Sequence, residues 1–140
     1  MYPEVNYLAI LVCGLVSMVL GSLWYGPLFG KPWMAMIGIK KPDVMTPAIK
    51  KMMAKSYSIM FIGSLLMAFI LGNILAYGGG GAGGVVGGLA AGFANWLGFI
   101  APATIGIVLW ESKPWKLWFI NAGYFLVQMM VFGVILSLWK

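Results

Sequence analysis

Apolar positions along this chain run in long unbroken blocks, not at the 3.6- or 2-residue spacing of a half-buried helix or strand. Four blocks cover positions 6–29, 57–77, 85–110 and 115–139. A helix crossing a hydrocarbon core of about 30 Å needs roughly 20 apolar residues at about 1.5 Å of rise each. Each block is long enough, so the pattern predicts an all-α fold: a compact bundle of four transmembrane helices forming a single domain over 1–140. The first block is read as a retained helix. Its flank, Met1-Tyr2-Pro3-Glu4, lacks the basic residues that open a signal peptide.

The connections differ in character. Positions 30–56 form the one long polar segment. Within it, Thr46-Pro47 is a helix start, with Thr as N-cap and Pro at the first helical position. Ile49, Met52 and Met53 then recur at helical spacing, while Lys50, Lys51 and Lys55 take other faces. The expectation is a short amphipathic helix on the inner leaflet, running into the second span. It serves either as a membrane-surface connector or as a docking place for a regulatory partner. The glycine run from Gly78 to Gly84 reads as a flexible turn or as a hinge. A phosphate loop is excluded there, because no Lys and Ser or Thr follow at the required offsets.

Composition agrees with a membrane solvent. Hydrophobic residues make up 62 % and charged residues 9 %, against roughly 25 % charged in soluble domains. Soluble globular folds and disorder are both excluded. The net charge is +6. Lys31, Lys40, Lys41, Lys50, Lys51, Lys55, Lys113 and Lys116 all fall on one side of the expected threading, and only Lys140 falls on the other. The positive-inside rule places loops 30–56 and 111–114 in the cytoplasm and both termini outside. Lys31 with Trp33, and Lys113 with Trp115, suit a lipid-headgroup interface. Membrane lipids are therefore the expected partners. Nucleic acid is not, since there is no Arg and the lysines flank spans.

Inside a bilayer, helices associate through close backbone approach and polar contacts. Small residues recur at every fourth position: Ser64, Ala68 and Gly72 in the second span, and Gly84, Gly88 and Gly92 in the third. Ser17 and Gly21, and Gly133 and Ser137, do the same in the other two. The breadth of the third span's small face places it at the bundle centre. Four helices of a monomer are not expected to bury so many such faces, which points to a homo-oligomer or to other membrane subunits as partners.

Candidate chemistry is sparse. The acids Glu4, Asp43 and Glu111 map to ends or loops, there is no His, and the lone Cys13 reads as a packing residue. No catalytic residue, metal site or cofactor is expected, and the protein is not expected to be an enzyme. Glu111, beside Lys113 and Lys116, is read as rim charge complementing the start of the fourth helix, or as a headgroup or partner contact. Neutral polar groups remain. Asn121, Tyr124 and Gln128 share one helix face, and Asn95 lies at similar depth in the third span. Asn95 is expected to meet Gln128, and Thr104 to meet Asn121. The cluster Asn95, Trp96, Thr104, Asn121, Tyr124 and Gln128 is then either interhelical glue or a small polar pocket walled by Trp96 and Tyr124.

Three short matches raise a parallel duplication of two hairpins: Lys31-Pro32-Trp33 with Lys113-Pro114-Trp115, Asn6–Ile10 with Asn95–Phe99, and Leu23-Trp24 with Leu109-Trp110. The alternative is that Lys-Pro-Trp simply suits an interface. Some of these segments, with others, also carry a family resemblance. Asn6-Tyr7-Leu8-Ala9, Leu23-Trp24-Tyr25, Trp96-Leu97-Gly98-Phe99, Lys113-Pro114-Trp115-Lys116 and Ile120-Asn121-Ala122-Gly123-Tyr124 stand in order along nearly the whole chain. In them the chain resembles the prokaryotic membrane proteins of domain of unknown function 1761. The resemblance implies four spans in a prokaryotic cytoplasmic membrane and no assigned activity. Two functional readings follow: a non-catalytic protein acting through helix packing, as a homo-oligomer or accessory subunit, or a small uncoupled transporter or lipid- or small-molecule-binding protein.

Overall fold

A computed structural model of the chain describes residues 5–38, 43–78 and 84–139. Tyr2, Glu4, Lys40, Lys41, Lys140 and the glycine run at 79–83 lie outside the described residues. The described chain is all-helical, and four helical segments are long and apolar enough to cross a membrane: Tyr7–Leu28, Pro47–Tyr77, Gly84–Leu109 and Trp115–Leu138. This is a four-span membrane protein.

Span one comprises α1 (Tyr7–Leu23) and a π-helical turn (Trp24–Leu28), and the short α2 (Gly30–Ile37) follows it. Asn6 caps α1, its Oδ1 accepting from the backbone N–H groups of Leu8 and Ala9 at 3.0 and 3.2 Å. The π turn has a local cause. Pro27 offers no N–H and its ring crowds the carbonyl four residues back, so the turn widens. Phe29 N–H then donates to Trp24 O, five residues back, at 2.9 Å. Gly30 follows because a Cβ there would strike the Tyr25 carbonyl.

Span two is a single helix, α3 (Pro47–Tyr77), started by Thr46, whose Oγ1 accepts from Ile49 N–H at 3.2 Å. The expected cap is present, and the segment it starts runs into the second span as one helix. The Lys50–Lys55 segment forms part of the first turns of one uninterrupted 31-residue helix. At about 1.5 Å per residue its length exceeds the hydrocarbon core by roughly ten residues.

Span three consists of α4 (Gly84–Asn95), a second π turn (Trp96–Ile100), α5 (Ala101–Thr104) and α6 (Gly106–Leu109). Pro102 stands just beyond that π turn. Span four is the unbroken α7 (Trp115–Leu138).

The fourth span, not the third, is the centre. In its most apolar stretch 44 % of residues are buried, against 6 % in span three. Spans one, two and three all pack on α7. The physical reason is that α4 spends its small face on one partner. A Cβ at Gly88 would collide with the backbone of Gly133, one at Gly92 with the backbone of Met129, and one at Gly133 with the backbone of Gly88. The remaining faces of α4 are apolar, which costs nothing in lipid. Gly84 does not share in this seam: it opens α4 at φ +78 and would meet nothing. On α3, Ser64, Ala68 and Gly72 are buried. Ala9, Ile10, Cys13, Leu71, Phe132 and Leu136 pack with Ala68 in the core.

Candidate functional site: two clefts beside the fourth span

Spans one and three each pack on α7 and have no substantial contact with each other. Two tryptophans tie them to that helix. Trp24 Nε1 donates to Ile120 O at 2.9 Å from span one. Trp96 Nε1 donates to Ala122 O at 2.8 Å from span three. Each ring begins a π turn, and each is followed two residues later by glycine, Gly26 and Gly98. The first ring lies against α7 beside Gly123, where an added Cβ would make only ordinary contact with it.

This likeness differs from the three short sequence matches. Trp24 corresponds to Trp96 in role. Asn6 caps a helix end, whereas Asn95 lies inside a span.

Two clefts open beside α7, one bounded by spans one and two and the other by span three. One, of about 570 Å³, is lined by Ser17, Gly21, Tyr25, Trp33, Tyr57 and Tyr124 among others. The other, of about 500 Å³, is lined by residues including Thr104, Trp110, Glu111, Trp118 and Asn121. Phe125 lines both. A hydrogen bond from the Tyr25 hydroxyl to Asn121 Oδ1, at 2.9 Å, links a residue of the first cleft to one of the second. Aromatic rings cluster at the first cleft: Tyr25 stands 4.9 Å from Trp33 and 5.4 Å from Tyr124, centroid to centroid. Trp118, at the second cleft, stands 6.5 Å from Trp96.

The expected polar pairs do not form. Asn95 Nδ2 donates to Ala91 O of its own helix at 2.8 Å. Thr104 Oγ1 donates to Ile100 O at 2.7 Å and accepts from Trp118 Nε1 at 3.1 Å. A carbonyl one turn back already satisfies each group, so no neighbour is needed. The seam between α4 and α7 is also too close for an amide to enter. The stripe Asn121, Tyr124 and Gln128 turns instead toward spans one and two. Tyr124 donates to Ser17 O at 3.1 Å. Gln128 is 1 % exposed; its Nε2 reaches only Met67 Sδ, at 4.0 Å, and its Oε1 has no partner among the described residues. Thr104, Asn121 and Tyr124 thus line clefts, whereas Asn95, Trp96 and Gln128 are not among the lining residues.

The interface residues divide similarly. Trp33 turns inward to line the first cleft, Lys31 and Trp115 are exposed, and Lys113 is half-buried. Glu111 is exposed at the second cleft. The residues that sequence reasoning missed are Tyr25, Trp118 and Phe125, together with the role of Trp24. The one legible signal was the repeated Trp-x-Gly of Trp24-Tyr25-Gly26 and Trp96-Leu97-Gly98.

Chemically, the two clefts offer aromatic faces, hydroxyls, one amide and one carboxylate. Searches of curated proteins and of solved structures return no match to the chain. The family described as protein of unknown function (DUF1761) matches residues 8–137, and the chain belongs to that family.

Proposed function

We propose that this is a non-catalytic binding protein for a lipid or other amphiphile, which it takes up from the bilayer into the cleft where spans one and two meet α7. The observation carrying this reading is the aromatic cleft of about 570 Å³ beside Tyr25, Trp33 and Tyr124. A ligand pocket is typically about 300–1,000 Å³, mostly apolar, with a few placed polar groups. The lysines support an orientation with this end toward the cytoplasm of a prokaryotic inner membrane and both termini outside: Lys31, Lys50, Lys51, Lys55, Lys113 and Lys116 all belong to one end of the four-span threading.

The test is a photoactivatable, uncharged dodecyl probe added to the full chain in nonionic micelles. Ser22→Trp fills the cleft from an exposed position and should cut labelling about tenfold while leaving unfolding unchanged. Undiminished labelling in a folded Ser22→Trp protein would overturn the proposal.

A second reading, association as a homo-oligomer or accessory subunit, is supported by the outer face of span three. There Val86, Ala90, Ala94 and Gly98 are exposed at four-residue spacing. Light scattering in the same micelles should give a dimer or larger if a second copy covers that face, and a monomer would remove the self-association arm.

A further inference from the structure

The second cleft holds something that the first lacks. Glu111 is one of the chain's three carboxylates, and it lines this cleft together with the rings of Trp110 and Trp118. Trp110 is 87 % exposed, an unusual position for the largest side chain unless headgroups or a ligand cover it. A carboxylate and two indoles lining one cleft suit an organic cation: the ring quadrupole and the negative charge attract the same group. At this end of the chain the nearby charges in sequence, Lys113 and Lys116, are positive. The carboxylate is therefore the feature that would favour a cation over an anion within the cleft.

Phe125 lines both clefts. An alkyl tail leading from a head at Glu111 toward the aromatic cleft of Tyr25 and Trp33 would run past that ring. We propose that the two clefts together are selective for amphiphiles with an ammonium head, seated between Glu111, Trp110 and Trp118, with the alkyl tail passing Phe125. This proposal rests on the amphiphile-binding reading and adds the chemistry of the head. The ammonium group has two sources, a free cationic amphiphile or the zwitterionic headgroup of a phospholipid. Beside the latter, Lys113 and Lys116 are available to its phosphate.

The experiment titrates the full chain in nonionic micelles with dodecyltrimethylammonium, dodecylphosphocholine, dodecyl sulfate and an uncharged dodecyl ether, following tryptophan emission. One or both ammonium compounds should bind about tenfold more tightly than the ether, and Glu111→Gln should erase that advantage without altering ether binding. Tightest binding of dodecyltrimethylammonium identifies a free cation, and tightest binding of dodecylphosphocholine identifies the lipid headgroup. Equal binding of ether and ammonium compounds, unchanged by Glu111→Gln, would overturn the head selectivity while leaving amphiphile binding intact. Preference for dodecyl sulfate would overturn it too. Failure of every dodecyl compound to bind would remove both proposals.

Discussion

Gly88→Val should destabilise the protein by about 3 kcal/mol or more, at or above the top of the usual range for overpacking. At most core sites an added methyl is absorbed by the far end of a neighbouring side chain. Here there is none to move. The added Cβ would land on the backbone carbonyl of Gly133, and the reciprocal Cβ at Gly133 on the backbone of Gly88. Relief therefore requires α4 to lift away from α7. That loses the packing at the neighbouring Gly92–Met129 contact as well. Gly133→Val should cost a similar amount for the same reason. Gly63→Val is the control: nothing lies within 4 Å of its built Cβ, so the cost should stay within about 0.5 kcal/mol, the usual range for a site away from special features. Unfolding in mixed micelles with increasing dodecyl sulfate gives all three values. Equal losses at Gly88 and Gly63 would show that the seam is not where close packing is concentrated.

Trp24→Ala and Trp96→Ala should each cost about 3–5 kcal/mol, the range for removing a large aromatic from a packed site. Phenylalanine separates the two contributions. Trp24→Phe and Trp96→Phe keep much of the ring contact and lose only the bond to Ile120 O or Ala122 O. Interhelical bonds of this kind in membranes are worth about 0.6–2 kcal/mol, so the Phe variants should lose no more than that. Because the two rings stand beside the cleft-lining Tyr124 and Trp118, the Ala variants should also lower dodecyl-probe labelling. Phe variants as damaged as the Ala variants would mean that the hydrogen bonds, not the rings, tie the two spans to α7.

The four spans were legible because hydrocarbon imposes a length, and no shorter or more polar stretch meets it. Thr46-Pro47 was legible because capping is local: the hydroxyl needs only the N–H three residues on. The order of the helices around the core was not legible. In a membrane helix the lipid-facing and core-facing sides are both apolar, so α7 carries no pattern that marks it as central. Breadth of small residues misled for a related reason. Gly88 and Gly92 build one very close contact, and one close contact does not make a hub.

The polar pairings failed on depth arithmetic alone. Asn95 and Thr104 lie in helices whose own carbonyls are within reach, and two residues at equal depth need not face each other. The tyrosine that Asn121 does meet, Tyr25, stands within a π turn, where the direction of side chains departs from regular helical spacing. Only the recurrence of Trp-x-Gly pointed toward the clefts, and its meaning depended on seeing both indoles reach carbonyls of one helix.

The central claim is that an amphiphile occupies the clefts beside α7, not merely the lipid-facing outside of the bundle. Sequencing the sites labelled by the uncharged photoactivatable dodecyl probe in membranes tests it most directly. Adducts should concentrate in the peptides carrying Ser17–Tyr25 and Asn121–Phe125, several-fold above those on the exposed Ile59, Ile62 and Leu66 of α3. Labelling spread evenly over every lipid-exposed face, with no excess at Tyr25 or Phe125, would contradict the account.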